Sequence, residues 1–210
     1  MAVNRDKGHK PVPPAQRTPA RRTQAERSAL TRAALLGAAR SLFAERGYSG
    51  AGREEIAERA GMTRGALYHH FAGKQELFVA VVEELHAEVG ARVAGAAMAA
   101  GGGDPREQLR VGCQAYLDAA MDPAVRRILL LDAPAVLGWE AWREIEARHG
   151  LGLVQEALAA VLPGVGSLDA LARMLLAALN EAAMLVAEAR RPRVARREVG
   201  ATVDRLIARL

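Results

Sequence analysis

Residues 56–71 read IAERAGMTRGALYHHF, from Ile56 to Phe71, and this stretch decides the fold. Ile56, Ala57 and Ala60 fall on one helical face, at i, i+1 and i+4. Gly61 follows, a residue that ends a helix cheaply in the left-handed conformation. Met62 gives the turn an apolar plug, and Thr63 is a good N-cap for a second helix. Leu67 and Phe71, four apart, face inward together. Arg64, Gly65, Ala66, Tyr68 and His69 are left facing out. Small residues permit close approach and polar ones reach base edges and phosphates, so this outward set suits a DNA major groove.

Upstream, Thr23 and Glu26 have the spacing of a capping box. Leu35, Ala39, Leu42 and Phe43 form the inward face of a first helix, and Gly47 is expected to end it. Downstream, Leu77, Val81, Leu85, Val89 and Val93 recur every fourth residue, which predicts one long helix from Lys74 to about Met98. At 1.5 Å per residue such a helix spans roughly 36 Å, enough to join a head to a body.

Between Thr31 and Phe78 the segments AARSLFAERGY, IAERAG, TRGALYHHF and KQELF stand in order. Together they resemble the DNA-binding head of the TetR-family transcriptional regulators. A bare helix-turn-helix pattern is a weak signal, whereas this four-part signature is specific. The resemblance implies that Thr63 and the first turn of the following helix approach the bases. It also implies that Tyr68 and His69 donate to phosphates and that Lys74 faces one. On physical grounds Arg64 is the best bidentate guanine contact, and Gly65 lets the backbone come close. Many relatives place Ser or Thr, then an apolar residue, at the start of the second helix; here Gly52 and Arg53 stand there. Gly caps without offering a hydroxyl, and Arg53 opposes the helix dipole unless an anion is near. Arg53 is therefore expected to replace that hydroxyl as a phosphate contact. The expected DNA-binding set is Arg53, Thr63, Arg64, Gly65, Ala66, Tyr68, His69 and Lys74.

The chain has 210 residues, half of them hydrophobic and only 4% aromatic, without β-branched runs. That composition favours an all-α protein. Residues 1–80 hold 14 Lys+Arg against 7 Asp+Glu, net +7, and the remainder is net −2. The positive charge therefore sits with the head, as expected if one half meets phosphates. The single cysteine, Cys113, excludes an intrachain disulfide and fits a reducing cytoplasm. The polar, Pro-rich N-terminus does not resemble a signal peptide. The most apolar segment, about 168–186, is interrupted by Asp169, Arg173 and Glu181, so no membrane span is expected.

Three regions are expected. Residues 1–22, with four prolines among Arg and Lys, form a basic tail that is either simply solvated or an arm beside the operator. Residues 23–73 form a three-helix helix-turn-helix domain, and residues 74–210 a helical effector-binding and dimerisation domain. About nine or ten helices are expected in all. Those of the body fall near 105–121, 123–131, 135–149, 151–162, 167–190 and 194–209. Gly101, Gly102 and Gly103 form a linker; no strand precedes them and no GK[ST] follows, so they are not a phosphate loop.

No metal or cofactor is expected. His69 and His70 point about 100° apart on a helix, and His9, His86 and His149 lack ligand spacing. No nucleophile–base set or acid pair points to an enzyme. In the body, Cys113, Tyr116 and Leu117 share a face with Leu109. Trp139 and Trp142 are i, i+3 neighbours, with Ile145 continuing the stripe. Leu131, Val136, Met174 and Leu175 are further apolar candidates. Each of these is either core or the wall of a ligand pocket. The resemblance favours the pocket, since such bodies bind small molecules. A thiol sensor at Cys113 lacks a nearby base or positive charge. Asn180 and Glu181 interrupt an apolar helix and either contact ligand, pair across a dimer interface or face water. The last two helices carry stripes from Leu168 to Val186, through Ala182 and Ala183, and from Val199 to Leu210. The resemblance implies that they form a four-helix interface with a symmetry mate.

The reading is a homodimeric, cytoplasmic transcriptional regulator, a repressor released from a palindromic double-stranded operator by a small apolar or aromatic effector. The alternative is a ligand-binding helical protein with a non-functional helix-turn-helix, supported by the altered Gly52–Arg53 cap.

Overall fold

A computed structural model describes residues 23–100 and 103–210. The basic tail of residues 1–22 and the linker glycines Gly101 and Gly102 lie outside the described residues. All regular structure among the described residues is helical. The head comprises α1 (Gln24–Gly50), α2 (Arg53–Arg59) and α3 (Arg64–His70), and α4 (Lys74–Ala99) leads out of it. The body continues with α5 (Pro105–Ala119), a π-wound segment π1 (Val125–Asp132), α6 (Ala133–Leu137) and α7 (Trp139–Glu146). A second π segment, π2 (Ala147–Leu151), runs into α8 (Gly152–Val161), followed by α9 (Asp169–Glu188) and α10 (Pro192–Ile207).

The expected caps form. Thr23 and Glu26 exchange both capping-box hydrogen bonds, satisfying donors that the first turn of α1 would otherwise leave open. Thr63 Oγ1 accepts from the Ala66 N–H at 3.2 Å at the start of α3. Asp104 caps α5, with Pro105 in its first turn, where no N–H is needed. Gly47 kinks α1 rather than ending it: with φ at 73° it turns the chain, and one more helical turn follows to Gly50.

In the body the chain breaks at a different glycine from the one expected. Residues 135–149 do not form one helix, because Gly138 adopts φ 83° and separates α6 from α7. Gly150, expected to lie between separate helices, is instead wound into π2, so α7, π2 and α8 run on without a break. A Cβ on Gly150 would stand 3.3 Å from Leu176 Cδ1, so glycine is there for close helix packing, not for a turn. A glycine codes for both uses, and only its neighbours distinguish them.

The core is continuous from head to body. Phe43, Tyr48 and Phe78 form an aromatic cluster joining α1 to α4, with the Phe43 and Phe78 rings edge-to-face at 5.1 Å. In the body α4 lies along α5, and α5 is flanked by α8, α9 and α10. Of the described helices, α9 alone is long and apolar enough to cross a bilayer, with a mean hydropathy of 1.6. Its apolarity is used in packing: Leu179, Ala183 and Val186 are buried against neighbouring helices, while Met174 and Leu185 face outward.

Candidate nucleic-acid interface and ligand cavity

The head presents its outward set as a single surface. Thr63, Arg64, Gly65, Tyr68 and His69 are exposed and Ala66 is half-buried, while Leu67 and Phe71 are buried behind them. Arg46 pairs with Glu55 at 2.8 Å and Arg59 with Glu45 at 2.6 Å, holding α2 against α1. The Arg53 guanidinium lies over the Tyr68 ring, 5.2 Å from its centroid, so the altered N-terminus of α2 meets the outer face of α3. Gly52 caps α2 with no side-chain hydrogen bond. Arg64 is turned back onto Glu54 at 2.5 Å, in a pair open to solvent on both sides. Such a pair is weak, and competition from a phosphate or a base edge would open it.

Lys74 does not join this set. Its ammonium donates to the carbonyls of Tyr48 at 2.8 Å and Ala51 at 3.1 Å, and sits 4.3 Å from the centre of the Tyr48 ring. A cation at the carboxyl end of a helix meets unpaired carbonyls and the negative end of the dipole. The first residue of α4 thus ties down the end of α1.

The body contains a cavity of about 360 Å³, between α4, α5, α7–π2–α8 and α9. That volume suits a drug-sized molecule. Val89, Leu109, Cys113 and Leu176 line its buried end, and the exposed Met98, Glu156 and Ala160 mark its mouth. Cys113 and Tyr116 are the two expected pocket residues that line it.

The remaining candidates are elsewhere. Leu117 is fully buried in the core, and Trp142 is buried with its indole N–H donating to the Leu129 carbonyl at 3.2 Å. Leu131 and Val136 are half-buried away from the cavity, and Trp139 and Met174 face solvent. Leu175 lies in a separate groove between α9 and α10. Helical phase groups side chains by face, but it does not say whether a face meets a neighbouring helix, a void or, as for Trp139 and Met174, solvent.

His86, Glu146 and His149 line the cavity, where the sequence reading did not place them; Asn180, singled out in the sequence as a polar break in an apolar helix, stands behind Tyr116. His149 is hydrogen-bonded to Glu83, and its ring stacks on that of His86 at 6.0 Å. Burial pushes the His86 imidazole down to about 4, with His149 adding to the effect and Glu83 opposing it. Burial pushes the Glu146 carboxyl up to about 7, against the Asn180 side chain and Arg143, which both pull it down. Asn180 accepts from the Tyr116 hydroxyl at 2.6 Å, so its place is inside the protomer. Burial also pushes the Cys113 thiol up to about 12, which leaves no reactive thiolate near neutral pH. A signal for Glu146 did exist: Trp142, Ile145 and Glu146 fall at i, i+3 and i+4, a charge within an apolar stripe.

The α9–α10 groove carries Leu175, Ala182, Leu185, Val199 and Leu206, with Leu185 and Leu206 each 53% exposed. Glu181 also lines it, whereas Ala183 is buried within the protomer.

Comparison with known proteins agrees with this architecture. Residues 35–81 match the model of the bacterial regulatory proteins of the tetR family, and residues 106–210 that of a tetracyclin repressor-like C-terminal domain. Over 82 residues the chain is 40% identical to the HTH-type transcriptional activator FasR of Mycolicibacterium smegmatis, covering 39% of this chain and 36% of that one. It is 47% identical over 49 residues to the HTH-type transcriptional repressor AcnR of Corynebacterium efficiens, covering 23% and 26%. The match thus spans about a third or less of these curated relatives. A TetR-family regulator of Pectobacterium atrosepticum, known from its crystal structure, aligns with a TM-score of 0.76 and 35% identity over 88% of this chain and 95% of that one. A helix-turn-helix head with a positive, small-residue outer face, carried on a helical body that matches along its length, places the chain in the TetR family of DNA-binding transcriptional regulators.

Proposed function

We propose that the chain is a homodimeric repressor released from a palindromic operator by a small, largely apolar effector. Residues 23–73 form the DNA-binding unit, and residues 74–210 bind effector and self-associate. Arg53, Thr63, Arg64, Gly65, Ala66, Tyr68 and His69 face the DNA, with Arg64 reading a base edge and Arg53 and Tyr68 on the backbone. Lys74 acts behind this face, by fixing the end of α1.

The observation that carries the reading is the shared use of α4. His86, Val89, Gly90 and Val93 on this helix line the cavity, while its first residue, Lys74, holds the carbonyls that end α1. An effector that prefers a shifted α4 therefore reorients the head. In a dimer this changes the spacing of two recognition helices, which must enter major grooves about one helical turn, roughly 34–36 Å, apart. The exposed leucines of the α9–α10 groove offer the self-association surface.

The test is selection of bound fragments from random DNA at near-physiological salt, followed by release with compounds that fill the cavity. A palindrome with half-sites one turn apart, released by such a compound, supports the reading. By linkage, operator must then weaken effector binding by the same factor. Sequence-indifferent binding, or effector and operator that bind without mutual effect, would refute it.

A further inference from the structure

We infer that the cavity takes a compact apolar molecule bearing a basic amine, whose ammonium donates to the Glu146 carboxylate at the buried end. The inference rests on reading the cavity as the effector site.

Its first support is a missing partner. Glu146 is 4% exposed, and its Oε1 has no hydrogen-bond partner. Nε2 of His86, a residue 8% exposed in the same cavity, is likewise unpartnered. Buried polar atoms almost always have partners, so two orphans on residues that line one cavity point to a group supplied from outside. The Asn180 side chain acts on the Glu146 carboxyl, yet Oε1 is left open. The Tyr116 hydroxyl is already committed to Asn180.

The second support is charge. Glu146 lies at the inner end and Glu156 at the mouth, and no Lys or Arg is among the described residues that line the cavity. Arg143 acts on Glu146 only from outside that lining. A ligand carboxylate would therefore face like charge without a counter-ion, in surroundings that screen poorly. An ammonium meets its counter-charge and brings the donors that Glu146 lacks. Burial keeps the His86 imidazole neutral, so it adds no repulsion and can accept a further donor. The rest of the wall, including Val89, Val93, Leu109, Leu153 and Val154, offers apolar surface for the body of the ligand.

The test uses three matched probes, phenylhexylamine, phenylhexanol and phenylhexanoic acid, titrated calorimetrically into the full chain at near-neutral pH. The amine is expected to bind about tenfold or more tighter than the alcohol, with the acid weakest. Glu146→Gln, which keeps the shape, is expected to bring the amine to within a few-fold of the alcohol. Should that variant lose its helical far-UV spectrum, the wild-type series decides alone. Acid binding as tight as amine, or an amine preference that survives Glu146→Gln, overturns the inference. So does binding of all three without preference; if cavity-filling Ala157→Phe abolishes that binding, the cavity remains the ligand site. Absence of binding by all three overturns the cavity reading and the inference with it.

Discussion

The carboxylate of Asp132 accepts a hydrogen bond from the backbone N–H of Tyr48 at 2.6 Å. The two residues are 84 positions apart, one in π1 of the body and the other just past the kink in α1. Asp132 is also paired with Arg127 at 3.2 Å, and that guanidinium packs where a Cβ on Gly47 would stand. Tyr48 is thus held on its N–H by the body and on its carbonyl by Lys74 of α4. A π-wound segment is a common accompaniment of functional sites, and here one carries the residue that docks the head.

Asp132→Ala is therefore expected to cost about 1.5–3 kcal/mol, the range for a part-buried hydrogen bond to a charged group. It leaves the Tyr48 N–H without its partner and frees Arg127. Urea denaturation measures the stability change, and operator titration the loss of head alignment. A variant as stable as wild type with full operator affinity would show that the bridge is incidental.

Arg53 and Arg64 are expected to fail in different ways. Arg53→Ala should weaken binding to all sequences alike and flatten the salt dependence by about one unit. Arg64→Ala should relax discrimination at one base pair by about 1–3 kcal/mol. Glu54→Ala, which frees Arg64 from its ion pair, should tighten binding overall. Salt titrations on operator and random DNA separate these effects; an unchanged slope for Arg53→Ala would remove it from the phosphate contacts.

Glu146 and His86 act on stability with opposite signs as pH changes. The Glu146 carboxyl is raised from 4.5 to about 7 in the folded chain, so its contribution is full below about 4.5 and is lost as pH rises through 7. The His86 imidazole is lowered from 6.5 to about 4, so its contribution is full above 6.5 and is lost as pH falls through 4. Between these limits the two offset each other. Glu146→Gln removes one side, and its stability relative to wild type should climb by on the order of 3 kcal/mol between pH 4.5 and 7. A difference that stays flat across that window would mean that the carboxyl titrates normally.

Leu206→Glu and Leu185→Glu each place a charge on the exposed side of the α9–α10 groove. Both are expected to yield helical monomers with weakened operator binding, read by light scattering after gel filtration. Variants that remain dimeric would assign self-association to another face, and a wild type that runs as a monomer would refute self-association itself.

The head was legible in the sequence because its signals are local. Thr23 with Glu26, Thr63 with Ala66, and Leu67 with Phe71 act within one turn of helix, and residue spacing alone settles which of them meet. The outward face of α3 and the excess of positive charge in the first 80 residues follow from the same local reading. The body was legible only as a set of apolar stripes. Trp142 meets a backbone carbonyl, Leu175 an outer groove and Cys113 a cavity, though all three occupy comparable helical positions. Tertiary structure decided among them, because a void is defined by what several distant helices fail to fill. It also decided that Gly138 breaks a helix while Gly150 packs within one, and that Lys74 turns inward to carbonyls 23 and 26 residues away. Burial of Glu146 and His86 among apolar walls belongs to the same class: their altered proton affinities come from removing water, which depends on every helix around them and on no single stretch of chain.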